Sequence, residues 1–239
     1  MDHPSLSPGL IPIQPSRCVQ QLKQEGRPVL LLSLSLPRLV SESRGAEQIN
    51  RYYQRLADQW RARWCGPLYQ RACAAERAAL DASRPFRPWR VQVDYTLTLQ
   101  TPTLLSLFWE VREELDAAGL PRRHGDTWQL PWGAPLSLRA LLPPSSRRRS
   151  AVLAEVARQI RERTSAGEEQ YHQDWPRLIR TRFSPERFYV TEEGPVLFYP
   201  ACSIAPRFEG TPTFSLSALA GNEGTFLPNA PCNQPEKAI

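Results

Sequence analysis

A histidine and an aspartate lie close together in the segment Arg122-Arg123-His124-Gly125-Asp126. An imidazole and a carboxylate can act as a general base and the group that orients it. No serine or cysteine in a recognisable nucleophile elbow accompanies this pair, and at i,i+2 spacing in an extended segment we expect the two side chains to point apart. We therefore predict a structural pair, with a small cell-wall-related hydrolase using His124 and Asp126 as the alternative.

Other groups that could bind a metal or act as a nucleophile have unsuitable spacing. His172 and Asp174 follow Glu168 and Glu169, but they match neither an i,i+4 pair of helical ligands nor an HExxH motif. Cys202 has no base that the sequence places beside it. The five cysteines include no CxxC pair. We therefore predict no catalytic residues, no metal site and no cofactor, and hence a protein that is not an enzyme.

Tryptophan and arginine residues around His124 are the candidates for a binding surface. Trp128 and Trp132 are predicted to lie in a loop beside His124, where exposed indoles could contact a ligand. Arg122 and Arg123 add positive charge to the same loop. These five residues form the predicted binding site.

The densest run of positive charge is Arg147-Arg148-Arg149, joined by Arg158, Arg161 and Arg163 in a chain of net charge +6. Three positive charges at the start of a predicted helix oppose its dipole, which favours an anionic partner. However, aromatic residues for base stacking are absent from this run. A solvated face is therefore the expected interpretation, and a basic nucleic-acid-binding protein is a further alternative.

The elements that position these residues follow from hydrophobic periodicity. The 24 prolines among 239 residues predict many short elements separated by rigid corners. The longest element is a helix with a buried stripe that includes Ile49, Tyr53 and Trp60. In chain order we predict a strand at 28–36, this helix at 45–83 with a break or kink at Gly66-Pro67, and strands at 91–99 and 104–111. Short strands at 126–130 and 136–138 follow, and then helices at 147–163 and 174–183. A hairpin at 188–199 and a strand at 213–216 complete the order.

This order predicts an α+β fold: an antiparallel sheet packed against one long helix and two shorter helices, in a single domain. We assign residues 28–220 to the domain, residues 1–27 to a Pro/Ser-rich tail and residues 221–239 to a disordered tail. No run approaches the roughly 20 apolar residues that span a bilayer, and the first 16 residues contain no lysine or arginine. We expect neither a membrane span nor a signal peptide, and a cytoplasmic location for the chain as written.

The C-terminal hairpin and several upstream segments, taken in order, resemble one known family. The matching residues are Ile49-Asn50, Val93-Asp94-Tyr95, Leu105-Ser106-Leu107, His124-Gly125, Leu136-Ser137-Leu138, Phe188-Tyr189, Thr191, Gly194, Phe198, Ile204-Ala205-Pro206, Gly210 and Phe214. They resemble the extracytoplasmic domain of RsiV-type anti-sigma factors, which also occurs in PdaC-type peptidoglycan deacetylases outside their catalytic domain. The chain departs from the family at Arg207, where an aromatic residue is usual.

The resemblance implies a sensor-type domain that binds a protein or a cell-wall-derived ligand, since in RsiV proteins this domain binds lysozyme. The sigma-binding segment and the membrane anchor of those proteins have no counterpart in this sequence. Family members are usually extracytoplasmic. Lysozyme is itself basic and would be repelled at long range by a chain of net charge +6. We therefore do not predict lysozyme as the ligand of this chain.

Overall fold

In the computed structural model, which describes residues 9–116 and 119–220, six strands form the larger sheet in sequence order. β2 and β3 are parallel because a long helical crossover joins them, and every other neighbouring pair is antiparallel. The strands are β1 (Ile13–Gln24), β2 (Arg27–Leu39), β3 (Trp89–Gln100), β4 (Leu104–Glu114), β5 (Arg122–Gln129) and β6 (Ala134–Pro135).

The crossover consists of α1 (Arg44–Arg63), a π-helical turn (Trp64–Leu68) and α2 (Tyr69–Asp81). Ser43 caps α1, since its Oγ accepts a hydrogen bond from the backbone N–H of Ala46. Pro67 lies inside the π-helical turn. Because proline donates no backbone hydrogen bond, the helix widens there instead of continuing as a regular α-helix. The predicted long helix and its interruption are confirmed.

The apolar stripe of the crossover packs on one face of the larger sheet. Ile49, Tyr53 and Trp64 are each at most 3% exposed, so this face of the helix is fully removed from water. Burial of aliphatic and aromatic side chains on this scale is the main favourable contribution to folding. On the sheet they meet a continuous apolar surface that includes Leu30, Leu32, Leu34, Val91, Val93, Leu105, Leu107 and Trp109.

A smaller antiparallel sheet and its helices form a second core. Leu104 of β4 belongs to this core, so the larger sheet contributes to both cores. The other main members are Val152, Val156, Ile160, Phe188, Val190, Tyr199 and Phe214. The strands are β7 (Phe188–Thr191), β8 (Gly194–Phe198) and β9 (Thr213–Ser215), and the helices are α3 (Leu138–Leu141), α4 (Arg148–Ala166), α5 (Trp175–Thr181) and α6 (Ser217–Ala220), with a 3₁₀ turn at Arg207–Glu209.

The two sheets are joined where β7 lies against β3, β4 and β5. The backbone N–H of Val190 donates to Ser106 Oγ and its carbonyl accepts from Thr98 Oγ1, both at 2.7 Å. Gly125 of β5 leaves room for β7, because a Cβ there would lie 1.8 Å from the carbonyl oxygen of Phe188. The hydrogen bonds to the backbone of Val190 and the absence of a side chain at Gly125 therefore fix how the two sheets pack.

The predicted α+β fold with one long helix is confirmed, but two elements are corrected. β1 lies within the stretch 1–27 that we predicted to be a tail. Most of its side chains are exposed, so it is held by pairing with β2 instead of by a buried face. The strand predicted at 136–138 is wrong: β6 ends at Pro135, and Leu138 and Leu141 are buried on one side of the short helix α3.

Residues 1–8, 117–118 and 221–239 lie outside the described residues, so the predicted disordered tail at 221–239 and the domain limits stay predictions. Within the part of the chain that the structure describes, no helix combines the length and the apolar character that crossing a bilayer requires.

Candidate ligand-binding cleft

β5 presents Arg122, His124, Asp126 and Trp128 to the helical crossover. Alternate residues of a strand share a face, so His124 and Asp126 point the same way and the expectation that they point apart is wrong. The expectation of a loop is also wrong, because His124 pairs with Trp109 of β4 in a regular antiparallel ladder. These four side chains of β5 thus lie on the face of the sheet that α1 covers.

Two glycines fix the start of α1 against the end of β5. A Cβ on Gly45 would lie 2.0 Å from the carbonyl oxygen of Leu130, and a Cβ on Gly133 would lie 2.4 Å from the carbonyl oxygen of Gly45. Gly133 also has a φ of +63°, which favours glycine. This close backbone contact sets the distance between the first turns of α1 and the last residues of β5.

An open cleft of about 520 Å³ lies between these two elements. Tyr52 and Trp128 form an aromatic wall, with ring centroids 5.0 Å apart in an edge-to-face arrangement. Asp126 lies at the side of this wall. The full lining is Gln48, Arg51, Tyr52 and Arg55 of α1, Asp126 and Trp128 of β5, and Pro135 of β6.

The carboxylate of Asp126 is held by three neutral donors. Trp109 Nε1 and Tyr53 Oη donate to Oδ2 at 2.9 and 3.0 Å, and Tyr52 Oη donates to Oδ1 at 3.4 Å. Trp128 Nε1 in turn donates to Tyr53 Oη at 3.1 Å. Burial raises the pKa of Asp126 although these hydrogen bonds act to lower it. Burial and the nearby Asp126 also raise the pKa of both tyrosines, so they remain protonated donors.

His124 does not have the surroundings of a catalytic base. Its ring stacks on Trp109, with centroids 4.2 Å apart and planes 12° from parallel. Burial lowers the pKa of His124, and the positive charges of Arg122 and Arg187 lower it further, so the imidazole is neutral at neutral pH. Within the described residues, no hydrogen bond joins His124 to Asp126, to a nucleophile or to a second carboxylate.

The two predicted arginines lie on opposite faces of β5. Arg122 forms an ion pair with Glu113 at 3.2 Å and lies beside the ring of Trp60. Arg123 points away from α1, where it donates twice to Glu110 Oε1. Neither arginine lines the cleft.

The two predicted tryptophans differ in exposure. Trp128 is only 6% exposed, so the expectation of an exposed indole is wrong; it still contributes one side of the cleft wall. Trp132 is 55% exposed in the turn between β5 and β6, as expected for a contact residue. Trp132 therefore remains a candidate contact residue, whereas Trp128 belongs to the buried hydrogen-bond network of Tyr53 and Asp126.

Sequence reasoning missed the contribution of α1 to the site. Tyr52 adjoins the buried stripe, and Arg51 and Arg55 are four residues apart on its polar side, a pattern that by itself indicates only a solvated face. Among the described residues, no carboxylate lies within ion-pair distance of Arg51 or Arg55. The rim of the cleft therefore carries two unneutralised positive charges.

Comparison with known proteins finds a family match within the C-terminal half of the chain. Residues 140–218 match the family described as "Protein of unknown function (DUF3298)". The DUF3298 match covers α4, α5 and the smaller sheet, whereas the cleft residues precede it. No curated protein sequence matches the chain.

Two crystal structures of DUF3298 proteins share the fold. The protein from Bacteroides fragilis has a TM-score of 0.62 at 12% identity, covering 87% of this chain and 90% of its own. The protein from Pseudomonas aeruginosa has a TM-score of 0.51 at 18% identity, covering 86% of this chain and 89% of its own. At these identities the likeness extends to the fold alone. The narrower resemblance to RsiV-type anti-sigma factors is tested by neither and stays a prediction.

Proposed function

We propose that this protein is a non-enzymatic, sensor-type domain that binds its ligand in the cleft between α1 and β5. The observation that supports this function best is the combination of an aromatic wall with an unpaired basic rim. Tyr52 and Trp128 provide apolar ring surface, and Arg51 and Arg55 in the same lining provide unneutralised guanidinium groups. Open clefts with apolar walls and a few polar groups are typical of ligand sites.

Arg51 and Arg55 outnumber Asp126, the one carboxylate that lines the cleft, so the charge of the lining favours an anionic ligand over a basic one. Guanidinium groups bind carboxylates through paired hydrogen bonds, and aromatic rings pack against the apolar face of a sugar or peptide. Cell-wall glycopeptides carry carboxylates, whereas a basic protein such as lysozyme would be repelled by Arg51, Arg55 and the overall charge of +6. Of the two ligand classes that the family resemblance implies, a cell-wall-derived fragment therefore fits this cleft better.

The two alternative functions receive less support. A hydrolase that uses His124 would need a hydrogen-bonded partner, but the ring is stacked on Trp109 instead. A nucleic-acid interface on α4 would need an exposed stripe of arginines. Arg158 instead pairs with two glutamates of its own helix, and Arg163 lies over the ring of Phe214.

Calorimetric titration with a soluble muramyl peptide tests the proposed function. We expect the wild-type protein to bind, and the double variant Arg51→Gln/Arg55→Gln to bind at least about tenfold more weakly, since tenfold corresponds to ~1.4 kcal/mol and two charge-assisted contacts are lost. The matched control is Arg84→Gln/Arg87→Gln, which removes the same charge from two exposed residues away from the cleft. Absence of binding by the wild type, or equal weakening by the control, would contradict the proposal.

A further inference from the structure

We propose that the groove between α4 and α5 is a second binding surface, which accepts an acidic amphipathic helix of a partner protein. The groove has a volume of about 560 Å³ and shares no residue with the cleft. Its floor is apolar, formed by Leu153, Ala157, Trp175 and Ile179. The exposed residues Ala154 and Pro176 add to this apolar surface.

The residues of α4 that line the groove form one stripe along the helix. Ser150, Leu153, Ala154, Ala157 and Arg161 recur at three- and four-residue intervals. Ser150, Ala154 and Arg161 are exposed, whereas Leu153 and Ala157 are half-buried at the edge of the second core. The stripe extends for about 17 Å, which is the length of three helical turns. The small side chains in its middle leave depth beside α5. Such a groove fits the apolar face of an amphipathic helix.

Positive charge at the edges of the groove lacks internal partners. Arg149, Arg161 and Arg180 are exposed, and no carboxylate among the described residues lies within ion-pair distance of any of them. Three other arginines of the same two helices are neutralised: Arg158 by Glu155 and Glu162, Arg163 by Glu169, and Arg177 by Asp174. Arg148 of α4 donates to the backbone carbonyl of Pro143 and does not line the groove. The unpaired charges of α4 and α5 that line this surface are thus the ones that would meet a partner.

Ring contacts hold two of these arginines at the groove. Arg161 lies 5.8 Å from the centre of the Trp175 ring, and Arg149 lies 5.6 Å from the centre of the Phe183 ring. Arg149 also donates to the backbone carbonyl of Arg180. Because the rings restrict these guanidinium groups, less side-chain entropy is lost when they bind carboxylates.

An acidic helix satisfies both features of the groove, whereas nucleic acid satisfies one. A phosphate backbone would pair with the arginines, but it would cover the apolar floor without making apolar contacts to it. Leucines of an amphipathic helix would fill the floor, and flanking glutamates would reach the arginines. Negative charge beside Arg149 would also relieve the unfavourable interaction of the arginines in the first turn of α4 with the helix dipole.

Fluorescence anisotropy with a labelled synthetic peptide tests the proposal. The probe is a helix-forming peptide of about 18 residues, with leucines at i, i+3, i+4 and i+7 and glutamates on the flanks. Two competitors are used: a scrambled peptide of the same composition and a DNA duplex of about 20 base pairs. We expect the full chain to bind the amphipathic peptide at least about tenfold more tightly than the scrambled peptide.

Variants separate the floor from the rim. Ala154→Trp fills the groove at an exposed position without changing the charge, and Arg149→Glu/Arg161→Glu reverses the charge of the rim. Each is expected to weaken peptide binding at least about tenfold, while Arg84→Glu/Arg87→Glu changes it less than about threefold. Circular dichroism and thermal unfolding verify that each variant is folded.

Three results would overturn the proposal. The first is that the amphipathic peptide fails to bind the wild-type protein. The second is that scrambled peptide binds equally well and Ala154→Trp has no effect, since the interaction would then be one of charge alone. The third is that duplex DNA binds more tightly than the peptide and displaces it from the rim arginines, which would assign the surface to nucleic acid.

Discussion

Replacing Gly125 with alanine tests the contact that joins the two sheets. An alanine Cβ would lie 1.8 Å from the carbonyl oxygen of Phe188 and 2.7 Å from its carbonyl carbon. Both are backbone atoms of β7, so neither can rotate away. The nearer distance is about 1.5 Å short of a normal contact, so β5 and β7 must separate.

Separation of these strands has two costs. Overpacking of a filled interface typically costs about 1–3 kcal/mol. The buried hydrogen bond from the Val190 N–H to Ser106 Oγ would also lengthen or break, at a cost of about 1–3 kcal/mol. We therefore expect Gly125→Ala to lower the free energy of unfolding by about 2–6 kcal/mol, a large part of the stability of a domain of this size.

Urea unfolding monitored by tryptophan fluorescence measures this change, and Gly66→Ala is the matched control. Gly66 lies in the helical crossover, and an added Cβ there would meet no atom within 4 Å. Because alanine is the better helix former, the control is expected to gain up to about 1 kcal/mol. A loss below about 1 kcal/mol for Gly125→Ala would refute the reasoning, since the interface would then tolerate a methyl group.

Three further predictions concern buried polar groups. Ser106→Ala should lower the free energy of unfolding by about 1–3 kcal/mol and speed hydrogen exchange at the Val190 amide, because that buried N–H loses its partner; an unchanged exchange rate would contradict this. The pKa of Asp126 is raised, so the wild type loses stability as pH rises from the unfolded value of 3.8 through the folded pKa. The free energy of unfolding of Asp126→Asn, measured in urea titrations, should therefore rise relative to that of the wild type between acidic and neutral pH. A pH-independent difference would contradict the raised pKa. The pKa of His124 is lowered, so the wild type should lose stability as pH falls below 6.5; His124→Gln should reduce this loss, and a pH profile identical to that of the wild type would contradict it.

The helical crossover could be predicted because its signals are local. Ile49 and Tyr53 recur at helical spacing, and Pro67 marks the interruption directly. β1 could not be predicted in the same way. Its side chains are mostly exposed on both faces, so the segment has no amphipathic pattern, and its stability comes from pairing with β2. Pairing partners cannot be identified from one segment alone.

The candidate site was predicted only in part, because its contacts are distant in sequence. The polar residues of β5 have the composition of a loop, yet Asp126 is stabilised by Trp109 and Tyr53, which are 17 and 73 residues away. Trp128 is buried by the same network, which no local pattern indicates. The exposure of Trp132, which needs no distant partner, was predicted correctly, and its role in binding stays a prediction.

Hydrogen-exchange mass spectrometry with and without a soluble muramyl peptide tests the proposed binding cleft most directly. We expect protection at residues 48–55 of α1 and residues 126–135 around β5 and β6, the two segments that line the cleft. The groove between α4 and α5 serves as the internal reference and should exchange at the same rate in both samples. Protection confined to the groove or elsewhere, or no protection at saturating peptide, would contradict the proposal that this cleft is the ligand site.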